Sequence, residues 1–474
     1  MISLLIAASL AWGQQQPNVI LVTMDTTRAD AIGAYGEALP GLLEPREGVT
    51  PTLDAMAARG VRFDRFYAHA PTTLNSHTTL FTGRDPHEHA VPRNGYGLPD
   101  DLHTLTEQFA DAGYDTLAVV AAKALEQDMG LTRGFRLYDD QMSVKKGPMY
   151  QDIAEGVLRR TKVALDARDT DKPLFLWVHF YDPHGPYSAP GEWFDRFSSP
   201  DYDGPYTDPA VPVLLRRALR RKMALPEDVD QMAARYLAEV HYMDHHIGEL
   251  FSTLTERALL EYALVVVTAD HGETLSELTR HAYSHGAGVD EGVLRIPLII
   301  EGYGIPVARS AVVRSQVDMA GLAPTMATLV GLGEPLGAAR SFAQLVRPGP
   351  VLDTDGWPFR PSRPSFSEAT RQTNELGSGW NNAELPRAVR VGGLGMQVIP
   401  VRGLREERMR SLTEQTLGDP VRSLLKDLLF AWDMASPERR VPSMSTDTVD
   451  ALEALGYIDR RGEDPGDHPE PSTP

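Results

Sequence analysis

The stretch AHAPTTLNSHTTLFTGR, residues 68–84, decides how the rest of the chain is read. It opens on hydroxyl-bearing residues, runs into a helix that begins around Pro71, Thr72 and Thr73, and closes on Thr82-Gly83-Arg84. The first turn of a helix leaves backbone N–H groups unpaired, and these can hold an anion. A hydroxyl at that point lies beside the positive end of the helix dipole, a suitable place from which to attack a sulfate or phosphate ester. The plain alternative is a capping cluster with no chemistry.

The chain has 474 residues, enough for one large α/β domain and a smaller appendage. Its 65 acidic against 46 basic residues give a net charge of −19, which speaks against nucleic acid or an anionic membrane surface as partner. An anionic substrate would have to be drawn in by a local metal and local basic groups. Cysteine is absent from the sequence, so disulfides and thiolate metal sites are excluded. Ile2 to Trp12 is apolar but too short to span a membrane, and Ala11 and Gly13 form a small-x-small cleavage pattern. Residues 1–16 are therefore read as a signal peptide and the chain as exported, periplasmic or secreted. No Lys or Arg precedes the run, so a buried strand is the alternative; no later segment reads as transmembrane.

Working outward, Asn18 to Thr23 is a β-branched run typical of a buried parallel strand, and it ends at Asp25. In doubly wound sheets, sites gather at the carboxyl ends of strands, so Asp25 is a candidate metal ligand, with a helix cap as the alternative. A second apolar strand, Leu264 to Thr268, delivers Asp270, His271, Gly272 and Glu273. A carboxylate beside an imidazole suits zinc, manganese or iron better than calcium alone. A third, Leu174 to His179, leads into Asp182-Pro183-His184. His184 is the candidate general acid, because imidazole titrates in the neutral range. His179 is read as a structural neighbour, His87 and His89 as surface loop residues, and the basic run Arg216 to Lys222 as a solvated helix face. Helices are expected over 102–112, 153–167 and 229–256, a strand pair over 387–400 and a closing helix over 448–455.

These phrases, in this order, resemble those of the sulfatase family within the alkaline-phosphatase superfamily. The resemblance implies an α/β fold: a doubly wound mixed sheet flanked by helices, with a smaller C-terminal α+β subdomain. The catalytic domain would span 17–335, a linker and the subdomain 336–459, and a polar tail read as disordered 460–474. Thr82-Gly83-Arg84 matches the end of the sulfatase signature, which sets Thr73 at the Cys or Ser that sulfatases convert to formylglycine. The same register sets Asn75 at the signature's Pro and His77 at its Arg. Thr is not a formylglycine precursor, so no formylglycine is expected. Asp25 takes the first place of an Asp-Asp pair whose second place is Thr26, and Asp270 and His271 map onto the second metal motif. One divalent ion, calcium, zinc or manganese, is thereby implied at Asp25, Asp270 and His271.

The substrate would be an anionic ester, with His77 and His285 binding its non-bridging oxygens and His184 protonating the leaving oxygen. Lys123 is displaced from the Gly-Lys-Trp-His phrase of many sulfatases and is read as a surface residue. Several superfamily members that act on phosphate esters use an unmodified Thr at this position, which turns the expectation toward phosphate as well as sulfate. The competing reading is a catalytically degenerate sulfatase-fold protein that binds an anionic glycan or partner. The oligomeric state stays open, and the choice of Thr73 over Thr72 rests on the register alone.

Overall fold

The computed structural model describes residues 16–142, 145–146, 149–150, 152–206, 212–278, 281–333, 336–337, 339–349, 364–369, 385–391, 394–400, 407–412 and 417–434. The apolar run 2–12, the closing helix expected over 448–455 and the tail 460–474 lie outside the described residues.

The strands of the large sheet are Asn18–Met24 (β1), Val61–Phe63 (β2), Asp115–Val119 (β3), Leu137–Asp139 (β4), Leu174–Phe180 (β5), Ala263–Ala269 (β6), Leu298–Tyr303 (β7) and Ala311–Val313 (β8). They lie in the order β8-β2-β7-β6-β1-β5-β3-β4. β1 runs parallel to β5 and β6, β3 runs parallel to β5 and β4, and β7 runs antiparallel to β6 and β2, so the sheet is mixed, as the resemblance implied. The three central strands β6, β1 and β5 are apolar almost without interruption, because helices cover both faces and every position but Asn18 is buried.

The helices that matter for the site are Pro51–Arg59 (α1), Thr73–Thr82 (α2), Ala154–Asp166 (α3), Pro226–Glu256 (α4) and Asp419–Met434 (α5). α4 packs against both α1 and α3. Its buried Asp244 accepts hydrogen bonds from the Thr52 and Leu53 N–H groups, each at 2.9 Å, and so closes the open first turn of α1. Burial pushes the Asp244 carboxyl up to about 6.

A second antiparallel sheet, Ser365–Glu368 (β9), Arg387–Val391 (β10), Leu394–Pro400 (β11) and Glu407–Ser411 (β12), packs with α5 around Val389, Met396, Val398, Leu425, Leu429 and Trp432. This small unit clasps both flanks of the 68–84 stretch. On one side the Glu368 N–H and the Ser367 hydroxyl donate to the His69 and Ala68 carbonyls, each at 3.0 Å. On the other side the Trp432 indole donates to Asp85 at 3.0 Å. The Trp432 ring also stacks on His87, with centroids 3.5 Å apart. His87 and His89 are therefore not surface residues. His87 is 2% exposed and pairs with Glu368, and His89 is fully buried against the Thr79 hydroxyl of α2. Their short helix is covered by a C-terminal unit that local sequence did not announce.

Candidate active site

Strand register assembles the site. Thr23 of β1 pairs with His179 of β5 and Thr268 of β6, and Met24 pairs with Phe180 and Ala269. Asp25 and Asp270 consequently leave neighbouring parallel strands at the same level, and both are completely buried. Asp270 Oδ1 accepts from the His271 N–H at 2.7 Å and the Thr26 N–H at 3.3 Å. His271 Nδ1 lies 2.9 Å from the Gly272 carbonyl, which assigns the proton to Nδ1 and leaves a lone pair on Nε2. That Nε2 stands 3.5 Å from Asp270 Oδ2 and 3.9 Å from Asp25 Oδ1. Among the described residues, Asp25 Oδ1, Asp270 Oδ2 and His271 Nε2 have no hydrogen-bond partner.

Burial holds both carboxyls well above the usual carboxylate range, and Asp25 pushes Asp270 further up. Burial likewise holds His271 well below the usual imidazole range. Two adjacent buried carboxylates without counter-charge are costly, so a cation among them would restore the balance. The ligand-capable atoms of Asp25, Asp270 and His271 all lie within 4.8 Å of one another, and this donor set fits the divalent ion the resemblance implied.

Thr73 is the first residue of α2, with Thr72 extended before it as the N-cap. The Thr73 hydroxyl donates to Asp25 Oδ2 at 3.4 Å and is fully buried, which brings Thr73 rather than Thr72 to the acidic cluster. The Leu74 N–H donates to Asn94 Oδ1 at 2.8 Å, and the Ser76 hydroxyl donates to the Asp270 carbonyl at 2.5 Å, tying α2 to β6. The Leu74 amide is thus committed to Asn94 and is not one of the helix-start N–H groups open to an anion.

His77 faces inward. Its Nδ1 meets the Thr73 carbonyl at 2.7 Å and its Nε2 meets the Thr23 hydroxyl at 3.1 Å. Thr23 in turn accepts from the Trp177 indole N–H at 2.9 Å. The proton order is self-consistent only one way: Trp177 N–H to Thr23, Thr23 O–H to His77 Nε2, and His77 Nδ1–H to the Thr73 carbonyl. Burial and the neighbouring His179 hold His77 well below its ordinary pKa, in keeping with that neutral ring. With both nitrogens engaged, His77 has no atom left for an ester oxygen, which corrects the oxygen-binding role expected of it.

His184 and His285 converge on the mouth of the same cluster. Their ring centroids are 4.9 Å apart, and His285 is 4.6 Å from His271. His184 stacks on Tyr181, and its Nδ1 lies 2.8 Å from the Gly185 carbonyl. His285 Nδ1 lies 3.3 Å from Glu273 Oε1, and the Tyr187 hydroxyl donates to Glu273 Oε2 at 3.3 Å. Burial pulls the His285 pKa down, but the Glu273, Asp25 and Asp270 carboxylates outweigh it and raise the pKa, favouring an imidazolium.

Four features escaped the sequence reading. Glu273 follows Asp270 and His271 with no local sign of a role, yet it holds His285 and Tyr187. His179 reads from sequence as a structural neighbour, yet it is fully buried with Nε2 3.5 Å from Asp25 Oδ2. Thr26 has φ +50°, a left-handed backbone rare for a β-branched residue and a mark of strain held at a site. Arg216 does not sit on a solvated face, since its guanidinium donates to the Ala282 and Tyr283 carbonyls just ahead of His285.

A helix-start hydroxyl facing buried carboxylates and imidazoles, at the carboxyl ends of a mixed parallel-core sheet, has the equipment of an ester hydrolase. Comparison with known proteins agrees. The Sulfatase family model matches residues 17–332. Over 326 residues the chain is 25% identical to an arylsulfatase of Klebsiella aerogenes, covering 55% of this chain and 67% of that one. It is 26% identical over 370 residues to a Delta 4,5-hexuronate-2-O-sulfatase of Bacteroides thetaiotaomicron, covering 70% of this chain and 72% of that one. Among solved structures, a phosphonate monoester hydrolase from Silicibacter pomeroyi superposes with a TM-score of 0.65 at 21% identity, covering 89% of this chain and 96% of its own. The chain belongs to the sulfatase family. It is thereby a sulfuric or phosphoric ester hydrolase with the alkaline-phosphatase-like fold. No helix among the described residues is long and apolar enough to cross a membrane.

Proposed function

We propose that this protein is an exported metal-dependent hydrolase of phosphate or sulfate esters that uses Thr73 as its nucleophile in place of formylglycine. The observation that carries the reading is the Thr73 hydroxyl, buried at the first position of α2 and 3.4 Å from Asp25 Oδ2. With no cysteine in the chain and Thr at the signature position, an unmodified hydroxyl is the nucleophile the sequence offers. Asp25, Asp270 and His271 would hold the divalent ion, which would act as a Lewis acid on the ester and favour ionisation of a neighbouring hydroxyl.

The chain's own residues account for the remaining steps. The Thr73 proton leaves along its hydrogen bond to Asp25, and Oγ1 forms the new bond to phosphorus or sulfur. The bond to the leaving oxygen breaks, and that oxygen takes a proton from His184. The His285 imidazolium, held by Glu273, stands where it can neutralise a non-bridging oxygen. Water then attacks the Thr73 ester and gives a proton to His184, the bond to Oγ1 breaks, Oγ1 takes back the proton held by Asp25, and phosphate or sulfate is released. A sulfate ester on Thr lacks the hemiacetal route by which formylglycine ejects sulfate, so phosphate esters should turn over better. Within this reading 17–335 forms the catalytic domain, 336–459 a linker and C-terminal subdomain, and 1–16 an export leader.

The test is a rate panel on 4-nitrophenyl sulfate, phosphate monoester, phosphodiester and phosphonate ester, with added zinc, manganese or calcium. Thr73→Ala is run beside the wild type. Loss of turnover in the variant supports the reading, and the preferred ester assigns the substrate class. Equal rates in both proteins would remove Thr73 as nucleophile. Metal binding without turnover of any ester would favour a fold retained for binding an anionic partner.

A further inference from the structure

We propose that His179 is a fourth ligand of the cation centre, donating Nε2 beside Asp25, Asp270 and His271. The inference rests on the metal-dependent reading above and concerns a residue that sequence reasoning treated as scaffold.

His179 sits near the end of β5, directly in register with Thr23, and is fully buried. Among the described residues, neither ring nitrogen has a hydrogen-bond partner. A buried imidazole left in that state weakens the fold unless something absent from the protein chain occupies it. The ring is oriented by edge contacts, with centroid distances of 5.1 Å to His77 and 6.4 Å to Trp177. In that orientation Nε2 stands 3.5 Å from Asp25 Oδ2.

This separation is long for an N–H···O hydrogen bond, whose usual span is about 2.7–3.2 Å. It fits two donors on one ion, since tetrahedral donors at about 2.0–2.1 Å from zinc stand about 3.4 Å from each other. The His271 Nε2 to Asp270 Oδ2 separation is likewise 3.5 Å, and ligand-capable atoms of His179 and Asp270 lie within 4.8 Å of each other. His77 also lies within reach of His179 and Asp270, but its nitrogens are bonded to the Thr73 carbonyl and the Thr23 hydroxyl. The imidazole available on that side is therefore His179.

Charge and donor chemistry agree with this assignment. Two carboxylates and two neutral imidazoles balance a divalent ion without a buried excess. Calcium takes six to eight oxygen donors, and Thr26 stands where a second strand-end carboxylate would help supply them. A second imidazole compensates for that loss only for a borderline ion such as zinc.

The test compares metal-stripped wild type with His179→Gln and His179→Ala. Zinc and calcium affinities are measured by competition with a chromophoric chelator, and the visible spectrum of each cobalt-loaded protein is recorded. Zinc affinity should fall by more than about 100-fold in both variants, beyond the roughly 10–100-fold that a supporting neighbour of a ligand contributes. The cobalt spectrum should change with the loss of a nitrogen donor, while calcium affinity shifts far less. Zinc affinity within threefold of wild type and an unchanged cobalt spectrum would overturn the assignment. Zinc-edge X-ray absorption on the wild type decides the matter without any variant: two bound imidazoles support His179, and one rules it out. A wild type that binds neither ion would instead refute the metal-dependent reading itself.

Discussion

Replacing Thr23 with Val changes the shape of β1 hardly at all but removes the hydroxyl that joins Trp177 to His77. Both partners are fully buried, so the indole N–H and His77 Nε2 would be left without water or protein to pair with. An unmade bond at a buried neutral group costs about 1–3 kcal/mol, so with partial relaxation Thr23→Val should destabilise the protein by about 2–4 kcal/mol. Thr23→Ser is the control, because it keeps the hydroxyl and loses one methyl, worth about 1 kcal/mol. Urea unfolding followed by tryptophan fluorescence reads the difference. Catalysis gives a second reading, because His77 fixes the carbonyl of Thr73. Freed from Thr23, it should hold that residue less firmly and lower kcat by about tenfold, or about 1.4 kcal/mol, with a smaller change in KM. Equal stability and equal kcat for Thr23→Val and Thr23→Ser would show that the relay contributes nothing, and the positioning role assigned to His77 would be wrong.

Other consequences can be checked in the same preparations. Asp115 is buried at the start of β3, where burial works to raise its pKa but Arg136 and the Asp169 N–H outweigh it and lower it from 3.8. A depressed carboxyl contributes stability above its unfolded value and loses it as pH falls through its folded value. Asp115→Asn should therefore cost about 1–2 kcal/mol at neutral pH, discounted for the half-exposed Arg136, with the gap to wild type closing below about pH 4 in acid unfolding curves. Gly83 ends α2 at φ +63°, and a Cβ there would lie 2.7 Å from the Leu336 carbonyl oxygen. Gly83→Ala should lower thermal stability by at least about 1–2 kcal/mol from the left-handed backbone alone. Thr26→Asp would restore a second strand-end carboxylate at a backbone that Asp tolerates better than Thr, and should raise calcium affinity in a direct titration.

The sequence carried the strand-end groups well, because a β-branched run followed by Asp25, or by Asp270 and His271, is a local signal of a buried strand reaching a site. Thr73 was reachable because its spacing to Thr82-Gly83-Arg84 is fixed along one helix. The direction of His77 was not, since it depends on a hydroxyl of β1 and an indole of β5, far apart in the chain. His179 lies two residues after Trp177 on the same face of β5, yet nothing local tells a core histidine from one aimed at carboxylates. His87 and His89 read as exposed because the sheet and helix that cover them arrive some 280 residues or more later, as the His87–Glu368 pair illustrates. The same holds for Arg216, whose partners Ala282 and Tyr283 lie on a separate loop.

The most direct test of the account is acid-quenched turnover of the preferred ester, followed by digestion and mass spectrometry of the peptide that carries Thr72 and Thr73. The expected result is a phosphoryl or sulfuryl group on Thr73 that disappears as substrate is exhausted, and no such group in Thr73→Ala. An adduct on Thr72, on Ser76 or on any other residue during full turnover, with Thr73 unmodified, would contradict it.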